Sequence, residues 1–258
     1  MFGTWMTYPA WAIFVTLGLG FGATGVVMHR LCFAAGGRSR LTGFSGVVAP
    51  FLGGPQVLFA LTAVFLASDA WRHDEQAERF LLEERDGAVA IQSLSVMAPS
   101  NDAALRSELR AYLQAVLTDE WALDEREGSP RTAAAFDNLL HIAAGPAIAR
   151  ESGPAVQAAL MGAVTRIANA RSGRLALLDS PWFELKWGGA MMLALIAQIG
   201  VAVVHLERRR AQALALIVYT ASVVTMLGII ATCERPFHGS HKIEPTELHA
   251  VLQALPGG

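Results

Sequence analysis

Residues 182–233 read WFELKWGGAMMLALIAQIGVAVVHL, then ERRR, then AQALALIVYTASVVTMLGIIATC. Two apolar runs, Trp182–Leu206 and Ala211–Cys233, flank a four-residue basic turn. Crossing the hydrocarbon core of a bilayer as a helix takes ~20 residues, so this stretch predicts a transmembrane helical hairpin. The same pattern recurs near the N-terminus, where Trp11–Met28 and Phe44–Trp71 are apolar and the loop between them carries Arg30, Arg38 and Arg40. A polar stretch separates the two pairs. The expected fold is an all-α membrane protein, with four transmembrane helices in two hairpins (2+2) and a helical-bundle soluble module inserted between them. The expected segments are 1–71, first hairpin; 72–180, soluble module; 181–234, second hairpin; and 235–258, a C-terminal tail.

Composition supports this division. The chain has 258 residues, of which 53% are hydrophobic and 16% charged, where a soluble domain carries ~25% charge. The deficit lies in the apolar runs. A net charge of −2 gives no reason to expect a nucleic-acid partner; the expected partner is the lipid bilayer. Cys32 and Cys233 are too few and too isolated for a disulfide scaffold. Met1–Ala10 contains no Lys or Arg, and the first charges, His29 and Arg30, come after the apolar run. That is the reverse of a signal peptide, so the first run reads as a retained helix.

The polar module reads as all helix, with segments at about 74–97, 102–126, 131–144 and 154–178. The breaks are Pro99-Ser100-Asn101-Asp102, Ser129-Pro130, Gly145-Pro146 and Ser152-Gly153-Pro154. Apolar residues fall on helical stripes: Leu105, Leu109, Tyr112 and Val116 on one, Val156, Leu160, Ala163 and Ile167 on another. Pro50, Gly53, Gly54 and Pro55 interrupt the second apolar run, so its helix is expected to start at Pro55. Gly18 and Gly22 form a GxxxG pair, which suits close helix packing or is ordinary small-residue content. Trp5, Trp11, Trp71, Trp182 and Trp187 lie near run ends, as an interfacial aromatic belt would. A short amphipathic stretch, Pro245–Leu255, ends the tail.

Short loops set orientation through their Lys and Arg content. Arg30, Arg38 and Arg40 mark one connection, and Arg208, Arg209 and Arg210 the other, on the same side by parity. The expectation is an inner-membrane protein with these loops in the cytoplasm and the soluble module outside it.

Two carboxylates fall on apolar stripes. Glu84 lines up with Ala77, Leu81, Ala88 and Ile91, and Glu120 extends the Leu109–Tyr112–Val116 stripe. A carboxylate on a core face needs a partner. Helical rise from the flanking apolar runs puts Glu84 level with Arg171 and Arg174, so a buried ion pair with either is expected; the alternative is solvation of both carboxylates at the stripe edge. In the second apolar run, Phe59, Thr62, Leu66 and Asp69 share a face that continues to His73. If there is a pore, this is the lining stripe, with large apolar residues gating and a charge at the mouth selecting small ions. Otherwise it is a packed interface with Asp69 at the headgroups. Gln198 and Thr225 are further polar groups at membrane depth. Cys233, His238 and His241 match no zinc spacing, so no metal or other cofactor is expected. No nucleophile elbow, phosphate-binding loop or HExxH is present, and the expectation is that the protein is not an enzyme.

Three stretches carry a family likeness. They are Ala67-Ser68-Asp69-Ala70-Trp71 leading to Glu83-Glu84; Tyr112-Leu113-Gln114-Ala115-Val116-Leu117-Thr118-Asp119-Glu120-Trp121; and Arg235-Pro236-Phe237-His238-Gly239 with Ile243-Glu244-Pro245 behind it. Over roughly residues 44–255 the chain resembles the bestrophin-like DUF4239 membrane proteins of bacteria. His238 stands where that family often has serine. The resemblance implies a distant relation to bestrophins, pentameric anion channels with two helix pairs around a helical insert. It therefore implies a homo-oligomer and an ion-conducting role, with Glu84, Glu120, Trp121, Arg171, Arg174, Arg235, Pro236, Phe237 and Gly239 as structural or gating candidates. Arg235-Pro236-Phe237 also reads simply as a stop for the fourth helix. Bestrophins hold the insert in the cytoplasm; the local arginines here argue for the opposite side. The alternative function is a non-conducting scaffold or sensor whose module binds a partner.

Overall fold

A computed structural model describes residue 5 and residues 8–34, 53–121, 128–178, 183–234, 237 and 242–255. Among them there is no strand. The helices are α1 (Ala10–Phe33), α2 (Gly53–Ser95), α3 (Asp102–Ala115), α4 (Pro130–Ala144), α5 (Pro146–Ser152), α6 (Pro154–Leu178), α7 (Phe183–Val204), α8 (Arg209–Cys233) and α9 (Thr246–Ala254). A π-helical turn, Val116–Glu120, extends α3. Four helical stretches are long and apolar enough to cross a membrane: Ala10–Phe33, Gly53–Ser95, the run that ends at Val204, and Arg209–Cys233. The chain divides into two compact units, Met1–Asp74 with Pro181–Lys242, and Glu75–Ser180 with Ile243–Gly258.

The first unit packs α1 against α8 and α7. Its core mixes large residues such as Phe21, Leu66, Trp187 and Leu227 with alanines 63, 67, 70, 190, 194 and 231. Small residues let helix backbones approach closely where lipid offers no hydrophobic driving force. The closest approach is at Gly228, where a Cβ would overlap the Phe14 ring. Gly18 and Gly22 do not serve this purpose, since a Cβ at either meets nothing within 4 Å. Trp187 is buried at the centre of the unit with its ring edge-on to Trp5, 6.4 Å between centroids, so it is a core residue and not part of a belt. Trp11 and Trp71 are exposed.

Two amides buried in this unit, Gln198 and Gln212, are hydrogen-bonded to neutral groups across helices. Gln198 Nε2 donates to the Phe21 carbonyl at 2.9 Å and to Thr220 Oγ1 at 3.1 Å, while its Oε1 accepts from Thr24 Oγ1 at 2.7 Å. Gln212 Nε2 donates to the Ala202 carbonyl at 2.6 Å.

The second unit is a helical bundle around one apolar core. Leu105, Leu109, Tyr112, Val116, Leu160 and Ile167 are all buried in one core, as their periodicity predicts. Gly87 makes the close approach of α2 to α6, where a Cβ would lie 2.7 Å from Ile167 Cγ1. Ser129 caps α4 by accepting from the Arg131 N–H at 3.1 Å, with Pro130 opening the helix. Three features depart from the expected layout. Gly145-Pro146 begins a separate short helix, α5, because proline both ends α4 and suits a new first turn. The tail helix α9 is not an appendage: Leu248, Val251 and Leu255 sit in the same core as α3. The second run's helix begins at Gly53, two residues before the expected Pro55; Pro50 lies outside the described residues.

Candidate functional site

Six charged or aromatic side chains from α2, α3 with its π turn, and α6 converge inside the second unit. α2 contributes Glu84, which its stripe of Ala77, Leu81, Ala88 and Ile91 carries into the core, and it is fully buried. α3 contributes Tyr112 from its buried stripe, and the π turn that extends it presents Glu120 and leads into Trp121. α6 contributes Arg171 and Arg174, three residues apart and therefore on one face. A π turn inserts an extra residue into the helical ladder and re-aims the side chains beyond it, which is why such turns recur at special sites.

Glu84 binds Arg174, and Glu120 binds both arginines. Arg174 Nε donates to Glu84 Oε2 at 3.2 Å, and its Nη2 donates to Glu120 Oε2 at 2.9 Å. Arg171 donates to Glu120 Oε1 through Nη2 at 2.5 Å and Nε at 3.0 Å. The Tyr112 hydroxyl donates to Glu84 Oε1 at 2.5 Å. The backbone N–H of Ser129 donates to Glu120 Oε1 at 3.0 Å. The guanidinium of Arg174 lies over the Trp121 ring, 5.0 Å from its centroid, and the Trp121 indole N–H donates to the Ile243 carbonyl at 3.3 Å. Neither carboxylate is at a solvated edge. Two negative and two positive charges balance, which is the condition for burying them at all.

The electrostatics are set by this arrangement. Burial pushes the Glu120 carboxyl up, but the Arg171 and Arg174 guanidiniums outweigh it and hold the group below the ordinary carboxylate range. Burial and the neighbouring Glu84 carboxylate push the Tyr112 phenol well above its usual value, so it stays a donor. Burial disfavours the Arg174 charge, yet the surrounding carboxylates raise its pKa above the ordinary arginine value.

Gly128 completes the enclosure. Its φ of 74° lies in the left-handed region, and a Cβ there would lie 2.8 Å from Arg171 Nη2. The chain thus folds over the ion pair with no room for a side chain. The network is a clamp joining α2, α3, α6 and the start of α4.

The first unit holds the predicted α2 stripe. Leu66 is 3% exposed in the core and Phe59 packs against that core, so both turn toward their own chain. Thr62 Oγ1 donates to the Leu58 carbonyl at 2.8 Å. Asp69 accepts from the Lys186 ammonium and lies 3.5 Å from Arg72. A cavity of about 300 Å³ opens beside this pair, lined in part by Thr62, Phe65 and Asp69. Asp69, His73 and Glu234 each bring one ligand atom within 4.8 Å of the others. Such donors suit a divalent cation in type, but the Lys186 ammonium already neutralises Asp69. Sequence reasoning passed over Lys186, although a lone cation in an apolar run is a signal in itself. It also missed the Ser129 amide and Gly128, which only the loop's closure brings to Glu120.

Phe237 lies in a turn and is half-buried. Arg235, Pro236, His238, Gly239 and His241 lie outside the described residues. Cys32 and Cys233 are free thiols.

A bestrophin-like domain is matched over residues 19–248. The chain belongs to the bestrophin-like family. Solved structures agree on the fold. A bacterial bestrophin homologue from Klebsiella pneumoniae, in a leucine-to-threonine variant, superposes with a TM-score of 0.70 at 13% identity, covering 94% of this chain and 97% of that one. An isoleucine-to-threonine variant of the Klebsiella pneumoniae homologue gives 0.70 at 12% identity, covering 94% and 98%. A membrane protein with a proline-to-alanine substitution gives 0.70 at 10% identity, covering 94% and 97%. No curated protein sequence matches the chain. The all-helical fold with four candidate spans is therefore a bestrophin-like fold, and the bestrophin-like family places the protein in a membrane.

Proposed function

We propose that this bestrophin-like protein assembles as a homo-oligomeric ion channel of the bacterial inner membrane, with two transmembrane hairpins around the inserted helical module and α2 facing the conduction path. The observation that carries this reading is an apolar stripe on α2 that the chain's own helices leave uncovered. Val57, Leu61 and Phe65 are 57%, 51% and 71% exposed and share i, i+4, i+8 spacing on one helix face. Large apolar side chains ringed around an axis gate by dewetting, and a charge at the mouth selects ions. On this reading the constriction is formed by Val57, Leu61 and Phe65, with Thr62 and Asp69 at its edge, while Phe59 and Leu66 brace the helix from behind. The buried Glu84–Arg174–Glu120–Arg171 clamp keeps the module rigid. The exposed arginines 30 and 208–210 favour the cytoplasm for their ends of the helices, with the module outside; accessibility of cysteines introduced in the module, read in intact cells, tests that side.

The inward packing of Phe59 and Leu66 is also what a non-conducting scaffold would show. Liposome flux of the purified protein, with its mass in detergent, separates the two. The channel predicts an oligomer that passes ions, a Phe65→Ala variant that passes them faster, and an Asp69→Asn variant with altered selectivity. A monomer, or an intact oligomer with no flux for any small ion, overturns the channel reading.

A further inference from the structure

A second feature of the first unit lies away from α2. Between α1 and α8 runs an open groove of about 550 Å³. Its floor is apolar and shallow because Gly18 and Gly22 line it, and a Cβ at either would meet nothing within 4 Å. Val26, Ile217 and Val224 form its walls. At one end stand His29, Arg30 and Arg209, and among the described residues that line the groove none is acidic. Both arginines are exposed, and among the described residues neither is paired with a carboxylate.

The mouth is organised by hydrogen bonds. The Gln212 amide nitrogen is committed to the Ala202 carbonyl, so its Oε1 faces His29 and accepts from Nδ1 at 2.9 Å. That places the ring proton on Nδ1 and makes Nε2 an acceptor, which receives the Arg209 Nε–H at 3.4 Å. His29 holds the Arg209 guanidinium by one nitrogen at the groove's end. The two Nη groups remain to fork onto an anion, the geometry that suits phosphate.

Length identifies the kind of ligand. From Gly18 to Arg30 the helix rises ~18 Å, close to the ~15 Å hydrocarbon depth of one leaflet. A slot one leaflet deep, apolar along its length and doubly cationic at its end, matches an amphiphile with an anionic head. We propose that this groove binds an anionic phospholipid, its headgroup phosphate held by Arg30 and Arg209 and an acyl chain lying along Gly18 and Gly22.

Native mass spectrometry of the full chain in detergent tests this, with palmitoyl-oleoyl phosphatidylglycerol against the neutral phosphatidylcholine of the same chains. The wild type is expected to retain phosphatidylglycerol about tenfold more strongly, from two arginines near one phosphate. The Arg30→Gln/Arg209→Gln pair is expected to lose the preference, and Arg30→Lys/Arg209→Lys to keep part of it. Gly18→Leu with Gly22→Leu fills the slot without touching the arginines or the chain's own packing, and is expected to weaken retention of both lipids. Equal retention of the two lipids by the wild type overturns the proposal, as does a preference that survives the glutamine pair. If the leucine pair dissociates the oligomer while lipid retention is unchanged, the groove is a contact with a second copy and the proposal fails.

Discussion

The two units solve the same problem with different materials. Each must bury polar groups among helices. The second unit takes full charges into its interior, two buried carboxylates against one buried and one partly buried guanidinium, with Tyr112, Trp121 and a backbone N–H filling the remaining valences. The apolar unit's amides, Gln198 and Gln212, bond to Thr24, Thr220 and backbone carbonyls, all neutral. The contrast comes from the surroundings of each core. A charge network removed from water is tolerable when every charge is paired. A neutral amide risks less if a partner is lost, because an unsatisfied amide is far less unfavourable than an unpaired ion. The module's network is therefore the more fragile of the two under single substitution.

The largest expected effect tests that directly. Glu120→Ala leaves the partly buried Arg171 without its carboxylate and the buried Arg174 with only Glu84. Breaking a buried pair from one side costs ~3–5 kcal/mol. Chemical unfolding of the detergent-solubilised chain, monitored by far-ultraviolet circular dichroism, should show that loss. Glu120→Gln with Arg171→Gln should recover part of it, since the pair then leaves together. The pH dependence has a definite sign. Glu120 in the folded chain ionises below its ordinary value of 4.5, so its stabilisation is present above about that pH and is lost as pH falls through the lower folded value. The stability gap between the wild type and Glu120→Gln should therefore narrow below pH ~4. A gap that stays constant down to pH ~3 would mean the carboxylate is not what the arginines hold.

The next effect is Tyr112→Phe. The phenol is the second donor to Glu84, and its removal leaves Oε1 without that donor in a fully buried site. Hydrogen bonds to charged groups contribute ~1.5–3 kcal/mol. A loss in that range, smaller than for Glu120→Ala, is expected in the same unfolding experiment. A loss below about 0.5 kcal/mol would show that Arg174 alone satisfies Glu84.

How much of this was legible in the sequence differs between the units for the same reason. In the module, water outside and oil inside give helices a periodic signature, so the stripes of Leu105–Val116 and Val156–Ile167 and the two carboxylates riding on such stripes were readable. Arg171 and Arg174 were both candidate partners for Glu84; that Arg174 takes Glu84 while Arg171 turns to Glu120 depends on helix rotation, which spacing does not give. The bridge by Glu120 was invisible because it depends on a π turn and on the loop at Gly128, neither of which has a periodic signal. In the apolar unit the runs announced themselves by length, but their faces did not. Lipid is as apolar as a helix interface, so Leu66, turned inward, and Phe65, turned outward, look alike in sequence. The GxxxG pair was readable equally as a packing device or as ordinary small residues; within the chain Gly228 carries the contact. The lone Lys186 was the one side chain whose charge marked it, and it found Asp69.

The smallest expected effect sharpens the comparison from the other side. Gln198→Leu removes three hydrogen bonds at once, to the Phe21 carbonyl, Thr220 and Thr24, from a fully buried position. By bond count it should rival Tyr112→Phe. Its partners argue otherwise. Thr24 Oγ1 also reaches the Phe21 carbonyl at 2.9 Å within its own helix, so neither group is abandoned when the glutamine goes. Leucine is of similar volume and apolar, so the site neither empties nor gains a charge. Interhelical hydrogen bonds in membranes contribute ~0.6 kcal/mol on average and ~1.7 at most. The expected loss is therefore about 0.6–1.7 kcal/mol, below that of Tyr112→Phe, with helix content retained. Thermal unfolding in the same detergent measures it. A loss equal to that of Glu120→Ala would mean that the apolar unit, too, is held by its polar centre, and the distinction between neutral and charged solutions would fall.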